Sequence, residues 1–127
     1  MDSFYLLLQK IRERPGLYLR RKSLELLAAF HSGYKHKEYV EAWEKWSGRD
    51  IFENYDEAMN SGHKVPRTPS DGSMYGFNEF VHSYYNRQLA AMSVYSLISH
   101  MSQSEEEAFD KFFELLDEFM KQKDDLA

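Results

Sequence analysis

The sequence predicts an all-α fold, a single-domain bundle of about five or six helices spanning residues 1–127. Three observations predict it. Apolar residues recur at helical spacing in nearly every segment, and no stretch alternates at period two as a half-buried strand would. Serines and Pro/Gly pairs fall at the ends of these stripes, where helices start and stop. Nine Phe, nine Tyr and two Trp supply the bulk of a core large enough to hold a chain of this length without disulfide or metal.

The elements follow in order. Ser3 is a candidate cap for a first helix, on which Phe4, Leu7, Leu8 and Ile11 form one stripe. Pro15-Gly16 is expected to end it, leaving Leu17-Tyr18-Leu19 as an apolar connector and Arg20-Arg21-Lys22 as an exposed basic knot. Ser23 caps a second helix with Leu24, Leu27, Ala28, Phe30 and Tyr34 inward, weakened at Gly33. Tyr39, Ala42, Trp43 and Trp46 mark a third, stopped by Ser47-Gly48. This aromatic stripe reads as core rather than as a binding platform. Asp50 is placed to cap a short helix over 51–59.

Residues 60–73 hold Gly62, Pro66, Pro69 and Gly72 among polar residues and read as the longest loop. Phe77, Phe80, Val81 and Tyr84 mark another helix, and 89–101 a further one with few charges. The last helix carries the clearest signature. Ser104-Glu105-Glu106-Glu107 forms a capping box, followed by an apolar face of Phe109, Phe112, Phe113, Leu116, Phe119 and Met120.

The absence of cysteine excludes disulfides, thiolate catalysis and Cys-based zinc sites. No apolar run approaches a membrane span, and the N-terminus does not read as a secretion signal, so the cytosol is the expected compartment. The net charge of −5 is unevenly spread. Residues 1–37 hold eight Lys/Arg against three Asp/Glu, a local +5, whereas residues 103–127 hold three against nine, a local −6. Such asymmetry implies either internal pairing or an acidic surface that meets a basic partner.

No constellation carries catalysis, a cofactor or a metal. Glu79-x-x-His82 has the spacing of half a di-iron site, but none of His31, His36, His63 and His100 has a Glu three residues before it. Ser61-x-x-Lys64 has a nucleophile–base spacing, but it falls in the Gly/Pro loop without the supporting motifs of its class. Ile11-Arg12-Glu13-Arg14-Pro15-Gly16-Leu17-Tyr18-Leu19 resembles a stretch near the start of type II topoisomerase ATPase domains, yet the chain has no glycine-rich nucleotide loop. Arg12, Arg14, Arg20, Arg21, Lys22, Lys35 and Lys37 form a basic cluster. It would touch phosphates if the chain were a helical nucleic-acid-binding regulator, the alternative function.

Residues 14–19, the Ser23-capped helix to Leu27, Phe30, Gly33-Tyr34 and the Phe-rich final helix together resemble a family of small bacterial helical proteins. Their pattern is Arg-Pro-x-Met/Leu-Tyr-Leu-Gly, a Ser-capped helix and a Gly-Tyr pair; Arg20 stands here where the family often has Gly. These proteins are similar to the immunity proteins of polymorphic-toxin and contact-dependent growth-inhibition systems. The resemblance covers the first 34 residues and about the last 25. It implies a non-enzymatic protein that binds and neutralises a cognate toxin domain. The implied toxin is a basic nuclease, RNase ahead of DNase, inhibited by covering its active site or an adjoining surface. It assigns no binding residue. Exposed carboxylates with an aromatic near the longest loop are the expected contact set: Asp50, Glu53, Tyr55, Asp56, Glu57 and Asp71.

Overall fold

A computed structural model describes residues 3–61, 74–86 and 92–126. Within them the chain is all-helical, with no strand. The helices are α1 (Ser3–Glu13), α2 (Pro15–Leu19), α3 (Leu24–Ser47), α4 (Tyr55–Met59), α5 (Phe77–Tyr84), α6 (Val94–His100) and α7 (Glu105–Leu126).

The predicted stripes become the core. Phe4, Leu8 and Ile11 are buried on α1, and Leu24 and Leu27 on α3. Ala108, Phe109, Phe112, Phe113, Leu115, Leu116, Phe119 and Met120 are buried on α7. The last helix is thus the central post, and α1, α2, the first half of α3, α5 and α6 share one apolar cluster with it. The rings interlock: Phe77 stands edge-on to Phe112 with centroids 5.6 Å apart, and Tyr95 stacks on the same ring at 5.2 Å. The α7 cap forms as expected, with the Glu107 N–H donating to Ser104 Oγ at 3.1 Å. The Glu107 carboxylate accepts from the N–H of Gln103 at 3.2 Å.

Four local expectations are corrected. Pro15 ends α1 but does not leave a connector: it takes the first position of α2, where its missing N–H costs nothing, and Leu17-Tyr18-Leu19 is helical. The second and third predicted helices are one, α3, because Gly33 sits inside it without positive φ and with nothing within 4 Å of a Cβ placed there. A mid-helix glycine costs only about 1 kcal/mol, and the packing on either side outweighs that. Asp50 caps no helix: residues 51–54 form a turn and α4 begins at Tyr55 after Asn54. The helix expected over 89–101 begins at Val94, where Ser93 Oγ accepts from the N–H of Ser96 at 3.1 Å; residues 89–91 lie outside the described residues.

Ser23 caps α3 as predicted, its Oγ accepting from the Leu26 N–H at 3.2 Å. Arg20, at the C-cap of α2, has φ 76°, in a region that favours glycine.

Candidate partner-binding surface

The α3 helix is 24 residues, about 36 Å long. Its first half belongs to the main core; its second half carries a separate small core of Trp43, Ile51 and Ala58, with Val40 and Met59 packed against it. The chain turns back on itself here. Gly48 closes α3 in the left-handed conformation at φ 71°, and its N–H donates to Glu44 O at 2.8 Å. The Ile51 N–H donates to the Glu44 carboxylate at 3.0 Å. Asn54 Nδ2 donates to Asp50 O at 2.8 Å, and the Tyr39 hydroxyl donates to Ala58 O. Arg49 lies 5.3 Å over the Trp43 ring and pairs with Glu57 at 2.6 Å. The turn is therefore held by groups from both arms.

This tip presents Phe52, which is 90% exposed, while its neighbour Ile51 is 8% exposed in the small core. Tyr55 is half-exposed, with its ring 6.3 Å from His36 of α3. Phe52, Glu53, Asn54, Tyr55, Asp56 and Glu57 line a shallow depression of about 320 Å³. Of the six expected contact residues, Asp50, Glu53, Tyr55, Asp56 and Glu57 lie together on this one tip. Glu57 is committed to Arg49 and serves the tip's structure. The sixth, Asp71, lies outside the described residues, as do His63, Lys64 and most of the predicted 60–73 loop.

Sequence reasoning missed Phe52. The sequence offers only Ile51-Phe52 three residues past Gly48, a pair of which a turn buries one and exposes the other, without saying which. Trp46, expected inward, is half-exposed near the end of α3, while Trp43 is wholly buried.

The basic cluster resolves differently. Arg12 pairs with Asp117, Arg21 with Glu105 and Lys22 with Asp110, all at about 3 Å and all onto α7. Lys37 lies 3.7 Å from Glu41. Hydrogen bonding to Arg21, aided by Ser23, lowers the Glu105 pKa. Much of the positive charge of the N-terminal third thus meets the acidic last helix.

No family model matches this chain, and comparison with curated proteins and solved structures found no match.

The Glu79/His82 pair does not come together as a site. Glu79 is exposed, whereas His82 is buried with Nδ1 2.8 Å from Asn78 O and Nε2 3.1 Å from Met92 O. Both nitrogens face backbone carbonyls, so the ring staples α5 to the segment before α6. No group of three or more His, Asp or Glu suited to a metal ion occurs among the described residues. No described helix is long and apolar enough to cross a membrane.

Proposed function

We propose that this chain is an immunity-type inhibitor that binds a basic toxin domain through the tip formed by the end of α3 and α4. The observation that carries the reading is Phe52, held almost fully exposed on a locked turn among carboxylates. Aromatic side chains are strong interface anchors, and a turn whose backbone is already held loses little ordering entropy on binding. A collar of Asp50, Glu53 and Asp56 steers a cationic partner and rejects acidic ones. The family resemblance supplies the class of partner, a cognate toxin with nuclease activity. Inhibition by covering the toxin's active site needs no chemistry from this chain.

Nucleic-acid binding is the less favoured reading. Arg12, Arg21 and Lys22 would have to leave carboxylates of α7 to reach phosphates.

The test is co-production of this protein with the toxin domain encoded beside it. The unaltered chain should protect cells and form a one-to-one complex. Phe52→Ala combined with charge reversal at Asp50, Glu53 and Asp56 should lose protection while keeping helical content. Protection by that variant would reject the tip as the surface. Failure of the unaltered chain to bind or protect would reject the immunity reading itself.

A further inference from the structure

Two exposed surfaces at opposite ends of α3 carry opposite charge and matching apolar groups. One is the tip. Its Asp50, Glu53 and Asp56 carboxylates make no ion pair among the described residues, and Phe52 stands 90% exposed among them.

The other is α2. Arg14 and Arg20 stand at its two ends, as N-cap and C-cap. The neighbouring cations Arg12, Arg21 and Lys22 reach carboxylates of α7, and the adjacent Glu13 faces Lys10 at 4.0 Å. Arg14 and Arg20 themselves form no ion pair among the described residues. Between them Leu17 is 70% exposed and Tyr18 38%. Residues 14–20 thus hold two Arg and no acid, whereas residues 50–56 hold three acids and no base. Arg20 also holds φ 76°, so a cation is kept where glycine would be less strained.

The two surfaces cannot meet within one molecule. The α2 patch precedes the start of α3 and the tip follows its end, and α3 is a continuous rod about 36 Å long. Two copies with antiparallel α3 helices bring each tip to the other's α2, making the same contact twice about a two-fold axis.

We propose that the free protein forms this dimer, the tip of each copy docking on α2 of the other. Phe52 packs on Leu17 and Tyr18, and Arg14 and Arg20 meet the carboxylates of Asp50, Glu53 and Asp56. The contact covers an aromatic side chain otherwise left in water. It uses the tip of the proposed toxin contact but stands on the protein's own geometry. Each contact joins one aromatic anchor to a few exposed ion pairs, so the dimer is weak, with a dissociation constant on the order of 10–500 µM. It yields to a tighter occupant of the tip.

The test is sedimentation equilibrium of the full chain up to about 1 mM. The mass should rise from 15.1 kDa towards twice that value. One variant reverses α2, with Arg14→Glu and Arg20→Asp, aspartate being tolerant of positive φ. A second reverses the tip, with Asp50→Lys, Glu53→Lys and Asp56→Lys. Each alone should be monomeric, because both contacts then join like charges. Mixed in equal amounts they should form a mixed dimer, since every tip again faces an α2 of opposite sign; misfolding of either variant cannot produce that rescue. Phe52→Ala should weaken the dimer at least roughly tenfold. A chain that stays monomeric at the highest concentration would overturn the proposal. Self-association by either reversed variant alone would reject these surfaces, and a mixture that stays monomeric would reject their pairing. Masses beyond the dimer would overturn the two-fold arrangement. Toxin binding by a strictly monomeric chain would sink this contact and leave the proposed function standing.

Discussion

Arg12 grips Asp117 with both arms of its guanidinium, Nη1 to Oδ1 at 2.9 Å and Nη2 to Oδ2 at 2.8 Å, joining α1 to α7 across 105 positions of sequence. The same guanidinium carbon lies 5.3 Å over the Phe113 ring. Exposed ion pairs contribute about 0.2–1 kcal/mol, and fork geometry favours the upper end. A double-mutant cycle with Arg12→Ala and Asp117→Ala should therefore give a coupling near 0.5–1 kcal/mol, reduced by salt. Zero coupling at low salt would show that the pair does not tie the helices.

Phe112 and Phe113 are both buried, Phe112 between Phe77 and Tyr95. Replacing either with Ala should cost about 3–5 kcal/mol in urea unfolding. A cost under about 1 kcal/mol at both would contradict α7 as the central post.

Two backbone positions should respond oppositely to glycine. Gly33 sits exposed in the interior of α3 with open space around it, so Gly33→Ala should stabilise by about 0.5–1 kcal/mol. Arg20 holds φ 76°, so Arg20→Gly should relieve strain and stabilise by up to about 1 kcal/mol. Thermal unfolding of each variant checks both. A lower midpoint for Gly33→Ala would mean that α3 is interrupted there.

Glu105 supplies the pH dependence. Its pKa in the folded state is lowered, first by hydrogen bonding to Arg21 and then by Ser23. A group depressed in this way stabilises the fold above its unfolded pKa, and the contribution disappears as pH falls through the folded value. Stability should therefore decline below about pH 4.5, and Arg21→Ala should make that decline shallower. Identical acid limbs for the two proteins would rule the pair out as a source of acid sensitivity.

Much of this architecture is legible in the sequence because the responsible forces are local. The box at Ser104 and Glu107 and the Phe/Leu spacing of α7 are set within a few turns, as are the Ser23 cap and the stripe from Phe4 to Ile11. Gly33 misled because its intrinsic penalty is small beside the burial of Leu24, Leu27 and Trp43 along the same helix. The pairing of Arg12, Arg21 and Lys22 with α7 shows in the sequence only as a charge asymmetry; their partners lie 84 to 105 residues away. At the candidate site, the acidic residues and Tyr55 were readable as exposed polar positions. Phe52 was not, because one aromatic in a turn has no period, and only the seating of Ile51 against Trp43 and Ala58 decides which neighbour faces out.

If the tip holds a basic toxin domain as proposed, the most direct measurement is calorimetric titration of a toxin domain encoded by a neighbouring gene into the purified chain. The unaltered protein should bind one-to-one. Phe52→Ala alone should weaken binding by about 2 kcal/mol or more, roughly thirtyfold or more, as expected of a central aromatic anchor. Its unfolding midpoint should be unchanged, because a side chain 90% exposed contributes little to the fold. Tight binding that Phe52→Ala leaves untouched would contradict the tip as the interface, and no binding by the unaltered chain would contradict the immunity function.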